Sequence, residues 1–202
     1  MGRPRRLYAE GIYHVASHAS DDRELFLDDA DRRAFLEHLT LTFGPLGLSI
    51  VSYALMSNHY HAVVLTPDDR IARGLQTLHG GYSARYNRRH RRQAHLFRAH
   101  CVARRITGND DLVTVSRYVA RNPAAAGLVL DPLDWPWSSA AAHAGLERAA
   151  IPLDESPLRA AYDDSPNWRD RYRRLFEAPL PVSASAGTPG RSSTWQGRAS
   201  GR

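Results

Sequence analysis

Residues 48–65 constrain the fold more than any other part of the chain. Leu-Ser-Ile-Val-Ser-Tyr-Ala-Leu over 48–55 and His-Tyr-His-Ala-Val-Val-Leu over 59–65 are two apolar, β-prone runs with Ser57-Asn58 between them. That pattern predicts a β-hairpin. Upstream, residues 11–17 alternate as a strand does, with Ile12, His14 and Ala16 on one side and Tyr13 and Val15 on the other. Between these two regions Ala34, Phe35, Leu39 and Phe43 recur at helical spacing, with Asp28 or Asp29 available as a cap and Gly44-Pro45 as a stop. After the hairpin, Thr66-Pro67-Asp68-Asp69 opens a second helix that carries Ile71, Leu75 and Leu78 on one face. Gly80-Gly81 is expected to bend or interrupt it before it resumes over 82–91. A fourth strand is expected around 101–103. The order strand, helix, strand, strand, helix, strand is that of a ferredoxin-like α+β domain, an antiparallel sheet with helices on one face.

Beyond this core, residues 109–122 predict a further helix, capped by Asn109 or Asp110 and stopped at Asn122-Pro123. Leu112, Val115 and Val119 form its apolar stripe. Tyr118 and Asn122 lie about 40° apart along one edge of that stripe, on a face turned toward the protein body. The box Trp135-Pro-Trp-Ser-Ser139 follows, then a short helix over 168–176. From Pro179 onward Ser, Gly, Ala, Pro and Arg dominate, a composition that predicts disorder.

With 202 residues, 43% hydrophobic and 24% charged, the chain is long enough to bury a core and ordinary enough to be globular. Its longest apolar runs fall far short of a bilayer span, and Met-Gly-Arg-Pro-Arg-Arg at the start lacks the apolar stretch of a signal peptide. A cytoplasmic location is expected. The lone Cys101 forms no intramolecular disulfide and has no zinc-knuckle spacing. Net charge is +6, and between Arg70 and Gly108 there are ten arginines and no Asp or Glu. The absence of lysine is compatible with codon bias, but bias does not explain the missing acids. An uncompensated positive block with interleaved Tyr82, Tyr86 and Phe97 points to nucleic acid. Arg85, Arg88, Arg89, Arg91, Arg92 and Tyr86 are the candidate DNA-binding residues.

On a strand, His59 and His61 project from one face. Two imidazoles are too few to hold a metal tightly, and the Asn122 amide oxygen is the natural third ligand if its helix crosses that face. Tyr118 then stands one helical turn from the metal, as nucleophilic attack on a phosphate would require. The plainer alternatives are strand histidines satisfied by hydrogen bonds and a tyrosine packed on the sheet. Tyr86, on the basic helix, is a rival nucleophile, while Trp135 and Trp137 are better placed as packing anchors than as base-stacking platforms.

The series His59-Tyr60-His61, Tyr118-Val-Ala-Arg-Asn122-Pro123 and Trp135-Pro-Trp-Ser-Ser139 resembles the single-tyrosine HUH transposases, specifically the REP-associated tyrosine transposases, over about residues 11–145. The resemblance implies a divalent ion, Mg2+ or Mn2+, on His59, His61 and Asn122, although imidazole ligands alone would suggest a later transition metal. It also implies Tyr118 as nucleophile, a covalent 5′-phosphotyrosine, and ATP-independent cutting and rejoining of single-stranded DNA at hairpin-forming, REP-like palindromes, by a monomer or homodimer. The segment Leu96-Phe97-Arg98 departs from the family pattern, in which a glycine-containing loop precedes this strand. On this reading 1–145 is the catalytic domain, 146–178 a partly helical extension and 179–202 a disordered tail. Rival expectations are a non-catalytic single-strand binder on the same fold, and a hydrolase that uses water and leaves no protein on the DNA.

Overall fold

A computed structural model describes residues 8–20, 23–93, 95–98 and 101–177. Its core runs β1 (Gly11–His18), α1 (Asp29–Phe43), β2 (Ser49–Leu55), β3 (His59–Thr66), α2 (Ile71–His90), β4 (Val102–Ile106) and α3 (Asn109–Ala125). The strands form one antiparallel sheet in the order β2-β3-β1-β4, the ferredoxin-like topology expected from the element order. Asp28 caps α1, its side chain accepting from the Asp31 amide at 3.0 Å. The β2–β3 register shifts between Ile50 and Ser52, so Val51 is the extra residue of a bulge and turns to the opposite face from Ile50.

Each sheet face has its own core, because side-chain direction alternates along a strand. Tyr13, Val15, Tyr60, Ala62 and Val64 face α1 and α2, meeting Phe35, Leu39, Leu75, Leu78 and Tyr82. On the other face Val51, Val63 and Ile106 meet Leu112, Val115 and Val119 of α3. That second core also takes in Leu158, Tyr162, Trp168 and Tyr172 from α5 (Ser156–Ala161) and α6 (Trp168–Glu177), which follow the short α4 (Ala140–His143). The 146–177 segment therefore packs directly against α3. The tail predicted from Pro179 lies outside the described residues.

Trp135-Pro-Trp-Ser-Ser139 covers the exposed edge of β2. Leu55 donates to the Trp137 carbonyl at 2.8 Å, Ser139 donates to the Tyr53 carbonyl at 3.0 Å, and the Ser139 hydroxyl accepts from the Tyr53 amide at 3.0 Å. Trp135 Nε1 donates to the Leu55 carbonyl, and the Arg32 guanidinium lies 5.8 Å from both indole rings. Both tryptophans are packing anchors, and the box closes an edge that would otherwise invite pairing with another chain.

Three local expectations are corrected. Gly80-Gly81 does not interrupt α2, which is continuous over its full length. A side chain at Gly81 would run into His38, its Cβ only 2.0 Å from Nε2, whereas Gly80 faces open space. Gly81 sits where α2 comes close to α1, and Gly80 plays no part in that approach. Pro123 does not end α3, which continues to Ala125 with the proline ring buried and Ala126 donating to the Asn122 carbonyl. Nor does Asn109 or Asp110 cap α3: Gly108 is the N-cap, at φ 81° and without a side-chain bond. Asp111 takes the charge-bearing role there, accepting from the Thr107 amide and from both Arg104 terminal nitrogens at 2.9 Å. β4 also begins one residue later than Cys101 and runs to Ile106. No helix among the described residues is long and apolar enough to cross a membrane.

Candidate metal and nucleophile site

β3 presents His59 and His61 on the face opposite Tyr60, and the antiparallel register places Ala16 across from His61 and His18 across from His59. Two further histidines of β1 therefore share this face. His14 lies edge to edge with His61, ring centroids 5.2 Å apart and Nε2 3.0 Å from His61 Nδ1. His18 stacks on His59 at 4.7 Å, and the His59 and His61 rings stand edge to face at 5.0 Å. Four imidazoles thus occupy one corner of the sheet.

α3 delivers the phenol. Val63 follows His61 two residues along the same face and packs with Val115 and Val119, so the apolar contact that seats the helix also sets its register over the histidines. Tyr118, adjacent to the stripe, brings its ring to 5.4 Å from His61 and 5.9 Å from His14, edge-on to both. It remains 46% exposed while His61 is 4% exposed, so the phenol is open to a large substrate and the imidazole behind it is not. Asn122 donates its amide nitrogen to the Tyr118 carbonyl at 3.0 Å, and its side chain lies on the His59 side of the helix, where it bears on that imidazole. With the nitrogen committed to the helix backbone, the amide oxygen is the atom left for the imidazole side.

The electrostatics keep this corner neutral. Burial pushes His61 down to about 2, helped by its histidine neighbours. Burial, with a further push from His18, lowers His59 to about 4, and Asn122 opposes that shift. His14 falls to about 4 through burial and the Arg104 guanidinium, Asp111 opposing. Burial and Arg98 lower His18 as well. Neutral imidazoles are the form that ligates metals.

The residues fit a divalent ion. His59 Nδ1 lies 2.7 Å from the Asn58 Oδ1. An amide oxygen only accepts, so Nδ1 carries the proton and the Nε2 lone pair is left for a ligand role. Among the described residues no group of three or more His, Cys, Asp or Glu side chains is arranged to hold a metal. The available donor set is accordingly two imidazoles and one neutral oxygen.

The predicted residues do not all converge. His59, His61, Asn122 and Tyr118 meet at this corner. Arg85, Arg88 and Arg89 sit on α2, which packs on the other side of the sheet, and Arg91 and Arg92 follow its end. Tyr86 is 1% exposed and donates its hydroxyl to the Glu24 carbonyl at 3.0 Å, so its phenol is taken up in packing. The Arg89 guanidinium grips the Asp28 carboxylate and Asp31, tying the end of α2 to the start of α1. Arg85 makes an exposed pair with Glu37 at 3.3 Å, which costs little to exchange for another anion. Arg88, Arg91 and Arg92 are exposed. His14 and His18 were missed: the parity of His14 was visible in the alternation of residues 11–17, while His18 lies one residue beyond that stretch.

No sequence-family model and no curated protein matches the chain. Among solved structures, a REP-associated tyrosine transposase bound to a REP hairpin superposes with a TM-score of 0.63 at 16% identity, over 77% of this chain and 93% of that one. A candidate transposase from Deinococcus radiodurans R1 aligns with a TM-score of 0.42 at 19% identity, over 59% of this chain and 95% of that one. At 16% identity the likeness is one of architecture: this chain has the fold of a REP-associated tyrosine transposase.

Proposed function

We propose that the protein is a metal-dependent nicking and joining enzyme for single-stranded DNA, acting at hairpin-forming sequences through a covalent 5′-phosphotyrosine on Tyr118. One observation carries this reading: within a single chain, the Tyr118 ring stands 5.4 Å from His61 while Asn122, one turn along the same helix, bears on the neighbouring His59. His59, His61 and Asn122 would hold Mg2+ or Mn2+, whose role is to draw charge from the scissile phosphate. Structural likeness to a hairpin-bound transposase supports hairpin DNA as the substrate class.

The protein's own groups do the rest. The Tyr118 oxygen attacks phosphorus, the bond to the 3′-oxygen breaks, and the phenolic proton is balanced by protonation of that oxygen as a free 3′-hydroxyl. The 5′-phosphate stays on Tyr118. Because phosphotyrosine keeps the energy of the original phosphodiester, attack by a 3′-hydroxyl restores a DNA strand and frees the phenol. Exposure of Tyr118 suits a polymer substrate, and Arg88, Arg91 and Arg92 offer backbone contacts.

The test uses hairpins from the flanks of the gene itself, with Mg2+ or Mn2+. Wild-type protein should give a covalent band in denaturing gels, and Tyr118→Phe should bind the same hairpins in native gels while giving no adduct. An undiminished adduct in the variant removes Tyr118. Nicked product with no protein attached would favour a water-using hydrolase, and no product at all a binding protein.

A further inference from the structure

Both histidines of the β3 pair have their Nδ1 atoms engaged. For His59 the partner is Asn58 Oδ1 at 2.7 Å, which can only accept. For His61 it is His14 Nε2 at 3.0 Å, and two ring nitrogens at that distance share one proton between a donor and an acceptor. If His14 donates, His61 carries its own proton on Nε2 and has no lone pair left. If His14 accepts, His61 is protonated on Nδ1 and its Nε2 lone pair is free, matching the state that Asn58 imposes on His59.

We propose that His14 is a positioning residue which, by accepting the His61 Nδ1–H at its Nε2, fixes His61 in the tautomer with a free Nε2 lone pair. This rests on the reading of His59 and His61 as metal-holding residues. The two rings are then set alike by different devices, an amide from the turn before β3 and an imidazole from the neighbouring strand. The two rings lie edge to edge and nearly coplanar, with centroids 5.2 Å apart and 19° between ring planes, so the hydrogen bond that selects the tautomer also aligns the rings. Partners of this kind raise metal affinity without touching the metal.

The experiment reads tautomers directly. Metal-free protein labelled with 15N-histidine is observed by multiple-bond 1H–15N correlation, with the His61 signals assigned from their loss in His61→Gln. The wild type should show His61 protonated at Nδ1 with a pyridine-type Nε2. His14→Phe, which keeps an aromatic ring but cannot accept, should move His61 toward the Nε2–H form and weaken Mn2+ binding by calorimetry by about 10- to 100-fold. His14→Gln places an amide oxygen near the former Nε2 position and should restore both readouts, which a merely structural role would not do. A wild-type His61 carrying its proton on Nε2 overturns the proposal, as does a His61 tautomer unchanged in a folded His14→Phe protein. If the tautomer depends on His14 but the wild type binds no Mn2+, positioning by His14 stands and the metal reading falls.

Discussion

Between the two site histidines, Tyr60 turns to the opposite side of the sheet and hydrogen-bonds His79 of α2, with 2.8 Å between its hydroxyl and Nε2. Tyr60 is 1% exposed and burial holds its phenol well above the ordinary range, so the hydroxyl keeps its proton and faces a neutral His79. Phe97 stacks on His79 with 4.1 Å between ring centroids. Burial lowers the His79 pKa from 6.5 to about 4. Because the folded value lies below the unfolded one, the unfolded chain binds the extra proton. The resulting stability is complete above pH 6.5 and is lost as pH falls toward 4. At about 1.4 kcal/mol per pH unit, His79 alone forfeits about 2 kcal/mol by pH 5 and about 3 kcal/mol in full. His79→Gln provides a partner for Tyr60 that does not titrate. Urea unfolding at pH 7, 6 and 5 should show the wild type losing about 2 kcal/mol more than this variant over that range. The other buried histidines titrate in both proteins and cancel in the comparison. Equal losses would show that His79 does not enter the fold as a neutral partner behind the site strand.

Two further predictions concern the frame that holds the site. Gly80→Ala, with open space around the new methyl group, should raise stability by about 0.5–1 kcal/mol through helix propensity. Gly74→Ala should lower it by about 1–3 kcal/mol, because its Cβ would lie 2.5 Å from Cδ1 of the buried Leu48; opposite shifts in melting temperature are the readout, and equal shifts would contradict the packing of α1 and its following turn against α2. A double-mutant cycle of Arg104→Gln and Asp111→Asn should give a coupling energy of about 0.5–1 kcal/mol, since the pair is bidentate but the Arg104 side chain is half exposed. A coupling of zero would mean that this pair does not fasten the start of the tyrosine-bearing helix to β4.

How much of this was legible in the sequence follows from which interactions are local. The hairpin, the strand parity of His59 and His61 and the apolar stripe of α3 depend on periodicity, and all three stand as read. What was not legible sits where a distant element decides a local question. Gly80-Gly81 reads as a break until α1 is seen placing His38 against Gly81. Asn122-Pro123 reads as a stop until the proline ring finds a buried seat. Tyr86 looks like an exposed aromatic on a basic helix until its hydroxyl meets Glu24, across 62 positions of sequence.

His14 shows the same limit from the functional side. Its alternation with Tyr13 and Val15 was visible, but its importance depends on the β1–β3 register, and one residue of slip would send it to the α1–α2 core. The register itself follows from both faces at once: Val15 and Ala62 are paired in the lower core while Ala16, opposite His61, leaves space for imidazoles above. A small residue at position 16 is thus part of the site, although it carries no chemistry of its own. A bulky side chain there would separate His14 from His61 while leaving every motif in the sequence intact, which is why motif matching alone finds His59 and His61 but not the histidine that sets one of them.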